Sequence, residues 1–345
     1  MGDVLVVGGG QSGLAAAWAV QAAGGVPVVL EAGERPVGSW GSYYDSLTLF
    51  SPARFSSLPG LGFGGDPDRY PRRDEVVDYL ARYAEWLDVD VRTGHRVVKV
   101  GGGSGGFEVV LEDGRRLAAP VVIAANGGFG RPYRPALPGL ERFAGSIVHA
   151  AQYRNPQGYA GQRVVVVGAG NSAVQIAHEL AGVASVSLAS RAPVRFVPQR
   201  PWGRDVHWWW RVTGVDAVPV GRWLPAHFST PVLDAGVYRA ALEVGRPDRR
   251  PMFTDLDGTT VTWSDGRREQ VDAIVLATGY RPDFGYLEPL GALDAEGRPR
   301  HREGLSTTHP GLGFVGLEWQ RTLASATLRG VGRDARFVVS RLRRR

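Results

Sequence analysis

Cysteine is absent from the 345 residues, which excludes a disulfide framework, a thiolate metal site and a redox-active dithiol. Lysine is almost absent too: Lys99 stands alone, and every other cationic side chain of this strongly basic class is arginine. Those arginines are scattered, apart from the tail Arg341-Leu342-Arg343-Arg344-Arg345. The formal charge of +6 therefore does not describe a nucleic-acid-binding face, and no nucleic-acid partner is expected. Long apolar runs are missing as well. The longest, such as Ala118 to Ala125, are too short to cross a bilayer, and no secretory segment precedes the first strand. A cytoplasmic protein with no membrane partner is the expectation. His207, His227, His301 and His309 lack metal-ligand spacing, so no metal is expected. No Ser-His-Asp order can be argued, and no side chain is assigned as a catalytic residue.

What the chain has in quantity is glycine, 48 residues, in a background of 43% apolar and 21% charged residues that suits a globular protein of two domains. Two stretches organise it. Gly8-Gly9-Gly10-Gln11-Ser12-Gly13 follows the apolar run Val4 to Val7, and Gly168-Ala169-Gly170-Asn171-Ser172-Ala173 follows Val164 to Val167. Each leads into an alanine-rich segment with helical spacing. A glycine turn between a buried strand and a helix brings backbone N–H groups close to a pyrophosphate, because only small residues permit the approach. One copy also occurs in ordinary loops; two in the same context are more specific.

The next strand distinguishes the copies. Val26 to Leu30 ends in Glu31, and Ala184 to Ala189 ends in Ser190-Arg191, each the same distance beyond its fingerprint. A carboxylate there accepts hydrogen bonds from a ribose diol, whereas an arginine clamps a 2′-phosphate, with Ser190 as an added hydroxyl donor. The reading is two dinucleotides, the second phosphorylated. Asn171 and Ser172 sit where either helix capping or pyrophosphate contact would use them.

Between and around these units the chain alternates strands and helices. The loop Pro36 to Trp40 lies just beyond Glu31, with Gly38 and Trp40 positioned over the first ligand. Leu47 to Gly65 is irregular, and Asp74 to Leu87 reads as a helix. Strand material follows at Arg96 to Val100, at Phe107 to Leu111, and at Val121 to Ala125, which ends at Asn126. Val271 to Ala277 is a buried strand ending at Thr278-Gly279-Tyr280, where open α/β sheets bind ligands. Leu312 to Val315 is a last strand. Ser325 to Leu342 reads as a closing helix interrupted near Gly330, with positive partial charge at its N-terminus. The predicted fold is α/β, with two Rossmann-like domains and the second inserted into the first. Residues 1–155 plus 271–345 form one domain. Residues 156–270 form the other and carry a Trp-rich insert at 198–251.

Between the fingerprints lies Phe143-x-Gly145-x-x-x-His149-x-x-x-Tyr153, and near the end Leu276-Ala277-Thr278-Gly279-Tyr280. With both glycine turns, these motifs make the chain similar to the class B flavin-dependent monooxygenases. It is closer to the flavin-containing monooxygenases than to Baeyer–Villiger enzymes, which usually end the first motif in Trp. Segments such as Gly245 to Phe253 resemble a short bacterial branch associated with cation efflux or arsenic resistance.

The resemblance implies FAD on the first fingerprint, with Val97, Asn126, Thr278, Gly279 and Gln320 also at the cofactor sites, and NADPH on the second. It implies that reduced flavin takes up O2 at C4a and passes one oxygen to a small substrate with a soft nitrogen or sulfur atom. It also implies that His149 supports NADP(H)-dependent motion at the domain connection, with Tyr153 as its packing partner. The chain departs from the family at Val37, at Asn126 in place of Thr, and at Leu49-Phe50-Ser51-Pro52, which lacks the asparagine many members place beside the flavin. The rival reading keeps both cofactors and makes the protein an NADPH-dependent reductase that hands electrons to a protein or small acceptor. A homodimer is left open.

Five of the ten tryptophans, Trp202, Trp208, Trp209, Trp210 and Trp223, fall in the insert. Consecutive residues cannot share one face of a helix or strand. Part of the cluster is expected to wall the substrate entrance; the alternatives are a satellite core holding the insert to the second domain and a membrane-surface patch, against which stands the lack of a lysine-rich amphipathic helix.

Overall fold

The computed structural model describes residues 3–103, 106–221 and 231–343; Trp223, His227, Arg344 and Arg345 lie outside them. The first sheet is built on Asp3–Val7, which pairs in parallel with Val26–Leu30 on one side and Val121–Ala124 on the other. Asp90–Arg92 extends the first flank in parallel, and Leu312–Phe314 the second. The short antiparallel strands Leu305–Ser306 and His301–Arg302 close that edge. Val4 and Val6 are fully buried and Leu5 and Val7 nearly so, because helices cover one face and a β-meander the other. A sheet covered on both faces needs apolar residues at every position, which is why these strands read as unbroken valine runs.

On one face pack the helices Gln11–Ala22, Arg73–Leu87 and Leu328–Leu342, through Leu14, Val20, Val76, Leu80, Val331 and Val338. On the other, Val100, Phe107 and Val109 of the meander Val97–Gly103, Gly106–Leu111 and Arg116–Ala119 meet Leu5, Val7 and Phe284. Each such aliphatic side chain contributes roughly 1.5–3 kcal/mol on full burial. The closing helix runs unbroken through Gly330, contrary to the expected interruption. A Cβ there would overlap the Ala324 carbonyl, so the glycine admits a neighbouring turn and does not break the helix.

The second sheet repeats the plan. Its parallel order is Asp248–Pro251, Ser185–Ser190, Arg163–Val167, Ala273–Leu276 and Ser146–His149. The helix Asn171–Leu180 covers one face, and the antiparallel strands Phe253–Asp257, Thr260–Trp263 and Arg268–Gln270 cover the other. Three boundaries differ from expectation. Ser146–His149 and Ala273–Leu276, assigned to 1–155 and 271–345, are hydrogen-bonded into the second sheet, and Asp248–Pro251 is its edge strand rather than the end of the Trp-rich insert. Pairing partners far apart in sequence decide this, which local pattern does not reveal.

The chain crosses between the sheets twice, and the crossings lie side by side. Arg131–Pro132 pairs antiparallel with Tyr280–Arg281, and the Tyr133 N–H donates to the Gly279 carbonyl at 2.9 Å. Among the described residues no helix is long and apolar enough to cross a membrane.

Candidate cofactor and substrate site

A cavity of about 1210 Å³ lies across the carboxyl ends of both sheets and is lined by both glycine turns. At the first turn Gly8 holds φ 103°, and a Cβ on it would come within 3.0 Å of the Ala125 carbonyl. Gly10 and Gly38 face each other so closely that a Cβ on Gly38 would sit 2.8 Å from the Gly10 Cα. Gly13 has no room for a Cβ against the Gly8 carbonyl, which fixes the helix onto the strand. No side chain caps the helix that follows, so its first N–H groups remain available at the cavity. This backbone-only cradle fits a pyrophosphate.

Glu31 is 8% exposed, and its carboxylate accepts the Gly9 N–H at 2.5 Å and the Gly33 N–H at 2.7 Å. A carboxylate has about four acceptor positions, so a diol can still be received. Gly9 and Gly33 were not singled out from the sequence. The signal was present: a Cβ on Gly9 would lie 2.8 Å from the Glu31 side chain, which is why the fingerprint opens with three glycines. Gln11 accepts from the Trp40 Nε1 at 3.0 Å and donates to the Ala326 carbonyl at 2.7 Å, tying the loop and the closing segment to the fingerprint.

At the second turn Gly170 has open space around the Cβ direction and lines the cavity with Asn171 and Ser172. Gly170 itself is the N-cap and no side chain caps the helix, so capping does not account for Asn171 and Ser172. Ser12, Val97, Asn126 and Gly279 also stand in the cavity wall. Asn126 is committed there: its Nδ2 donates to the Asp283 carbonyl at 2.6 Å, and its Oδ1 accepts from Tyr286 at 2.8 Å. Gly168 sits behind the wall, where a Cβ would overlap the Ala277 carbonyl.

Several predicted residues lie elsewhere. Gln320 is buried behind the wall, its Nε2 unpartnered and directed at Gly304, because the turn from Leu317 to Gln320 folds it inward. The Thr278 hydroxyl is spent on the Tyr133 carbonyl at 2.5 Å. Ser190 donates to the Ala192 carbonyl at 2.7 Å, so it has no hydroxyl proton left for a ligand. Arg191 is exposed at the end of its strand, beyond the wall.

The motif residues lie at the crossing. Gly145 is required because a Cβ would lie 2.6 Å from the Asp272 carbonyl and press on the Phe143 ring. His149 is fully buried; its Nδ1 accepts the Ala151 N–H at 3.0 Å and its Nε2 donates to the Gly279 carbonyl at 3.1 Å. That pattern requires the neutral imidazole, and burial pushes its pKa below the ordinary value. Its ring partner is Tyr280, edge-on at 5.3 Å, not Tyr153. Tyr153 packs beside Tyr44 and Tyr159 and donates to Glu179 at 2.7 Å, since the turn after His149 carries it to the helix Asn171–Leu180.

The Trp-rich segment divides. Trp210 lines the cavity, whereas Trp209 donates to the Pro201 carbonyl at 3.1 Å and packs edge-on against Trp202 and Trp208 outside it. Beneath Trp210, His207 holds Asp205 at 2.7 Å, and desolvation keeps its pKa low. Phe50, Tyr43, Tyr280 and Trp319 complete an aromatic wall that sequence spacing did not reveal, because four separate segments contribute it. Among the described residues no cluster could hold a metal ion.

Two glycine turns opening onto one cavity are the arrangement of a dinucleotide-binding protein. Residues 5–202 match the model of the pyridine nucleotide-disulphide oxidoreductase family, and the chain belongs to that family, in its flavin-dependent monooxygenase group. A CzcO-like oxidoreductase of Geobacillus kaustophilus is 33% identical, over 98% of this chain and 97% of its own length. The indole-3-pyruvate monooxygenase YUCCA1 of Oryza sativa subsp. japonica is 32% identical, over 88% and 81%. The structure of a flavin-containing monooxygenase from Stenotrophomonas maltophilia superposes with a TM-score of 0.87 at 32% identity, covering 100% of this chain and 99% of that one. The protein is a flavin-dependent oxidoreductase of the monooxygenase type.

Proposed function

We propose that the protein uses FAD and NADPH to transfer one atom of O2 to a small substrate with a soft nitrogen or sulfur atom. The observation that carries this reading is the single cavity onto which both glycine turns open. Gly8, Gly10 and the helix behind them would hold the FAD pyrophosphate, with Glu31 on the ribose. Gly170, Asn171 and Ser172 would hold the NADPH pyrophosphate, and Arg191, which is exposed and free of ion pairs among the described residues, would reach the 2′-phosphate. We read residues 146–276 as a domain inserted into the first. When bound, FAD supplies the two-electron chemistry and the reaction with O2. The chain's own part is to bind, orient and exclude water, the last through Trp210, Trp319, Phe50 and Leu323 in the wall. His149 relays no proton, because both ring nitrogens are engaged within the fold.

The test supplies the purified protein with NADPH and 18O2 across a panel of sulfides and tertiary amines. Labelled sulfoxide or N-oxide supports oxygen transfer. NADPH oxidation with no labelled product identifies a reductase instead. Hydrogen bonds to a charged group contribute about 1.5–3 kcal/mol, so Arg191→Ala should weaken NADPH binding by roughly ten- to a hundredfold. NADH binding should change little. Equal losses for both would mean that Arg191 does not read the phosphate.

A further inference from the structure

The outer side of the Trp-rich segment has no role in the cavity. Trp202 is 85% exposed, and Val212, Val215 and Val218 are 60%, 41% and 43% exposed. Trp202 also holds φ 51°, a left-handed conformation costly for a bulky residue, and among the described residues its ring meets the edge of Trp209 at 5.3 Å. Strain is thus accepted to present an indole to solvent.

Within residues 200–219 the exposed charges are all positive. Arg200, Arg204 and Arg211 are exposed, and Arg204 lies over the Trp208 ring at 4.6 Å. The acids of the same segment are turned inward. Asp205 is held by Tyr70, Gln199 and His207, and Asp216 by Arg329 and Arg333. Asp68, which faces Arg200 from a neighbouring loop, is paired with Arg54 at 2.7 Å. An indole rim with valines and with arginines that form no ion pair among the described residues matches the headgroup zone of an anionic bilayer, where tryptophan sits at the boundary and each cation is attracted to the surface.

We propose that residues 200–219 form a surface by which the protein docks on anionic lipid without spanning it. For this face the proposal departs from the expectation of no membrane partner. Because Trp210, on the same helix Val206–Thr213, lines the cavity, docking would set the substrate site close to a reservoir of apolar compounds.

The purified protein is floated with vesicles of phosphatidylcholine, with and without one quarter phosphatidylglycerol, at low and at physiological salt. Recovery with the anionic vesicles, reduced by salt, is expected. Trp202→Ser and, separately, Arg211→Glu should each lower that partitioning about tenfold while flavin content, the measure of folding, stays unchanged. Equal recovery with neutral vesicles, no recovery, or unaltered partitioning of both variants overturns the proposal. So does sedimentation in which Trp202→Ser turns a vesicle-indifferent dimer into a monomer, which would make the face an interface between copies. None of these readings depends on which reaction the cavity performs.

Discussion

Single residues carry much of the site, and two of them make sharp tests. The Gly10 Cβ direction ends 3.2 Å from the Gly38 Cα. Gly10→Val therefore has to push the loop Gly38–Ser42 away from the fingerprint. The variant should purify colourless, and stoichiometric flavin in it would move the dinucleotide site elsewhere. His149 makes a test by titration. Burial holds its folded pKa below the unfolded value of about 6.5, and His207 and His301 are lowered in the same way. Between those values the unfolded chain binds more protons than the folded one, so stability is full above about pH 6.5 and is lost as pH falls towards the depressed pKa. Each unit of depression is worth about 1.4 kcal/mol. Urea midpoints should fall from pH 7.5 to pH 5.5, and His149→Asn should show a smaller fall. A midpoint independent of pH would mean that these imidazoles are not held neutral.

Elements follow from the sequence where their determinants are local. Valine runs buried on both faces, and glycines within a few residues of them, announced both strand–turn–helix units, and the helix expected at Asp74 to Leu87 is observed as Arg73–Leu87. Contacts between distant segments were not legible. Ser146–His149 joins the second sheet only because Ala273–Leu276 lies beside it. Tyr153 finds Glu179 rather than His149, and Gly330 reads as a breaker although it is a contact. Alanine is favoured over glycine inside a helix by about 1 kcal/mol. Gly330→Ala should nevertheless lower the melting temperature, because the added methyl meets the Ala324 backbone; a rise would show that this turn moves aside at little cost. The helix Val206–Thr213 also divides by face, Trp210 inward and Trp209 outward. Trp210→Ala should divert oxygen from substrate to hydrogen peroxide, with flavin content and NADPH-driven reduction nearly intact. Trp209→Ala should leave that partition unchanged. Equal behaviour of the two would remove Trp210 from the substrate wall.

At the scale of the molecule, two similar halves share one cavity, and the chain passes between them twice. The passages are fastened together by the pairing of Arg131–Pro132 with Tyr280–Arg281 and by the hydroxyl of Thr278 on the Tyr133 carbonyl. Side chains fasten the halves elsewhere as well: Tyr44 donates to Gln175 at 2.8 Å, and Arg329 holds Asp216 at 3.0 Å. The double passage also gives redundancy. A protease that nicks one passage leaves the halves joined by the other, so such a cut should be visible under denaturing conditions and silent in native size.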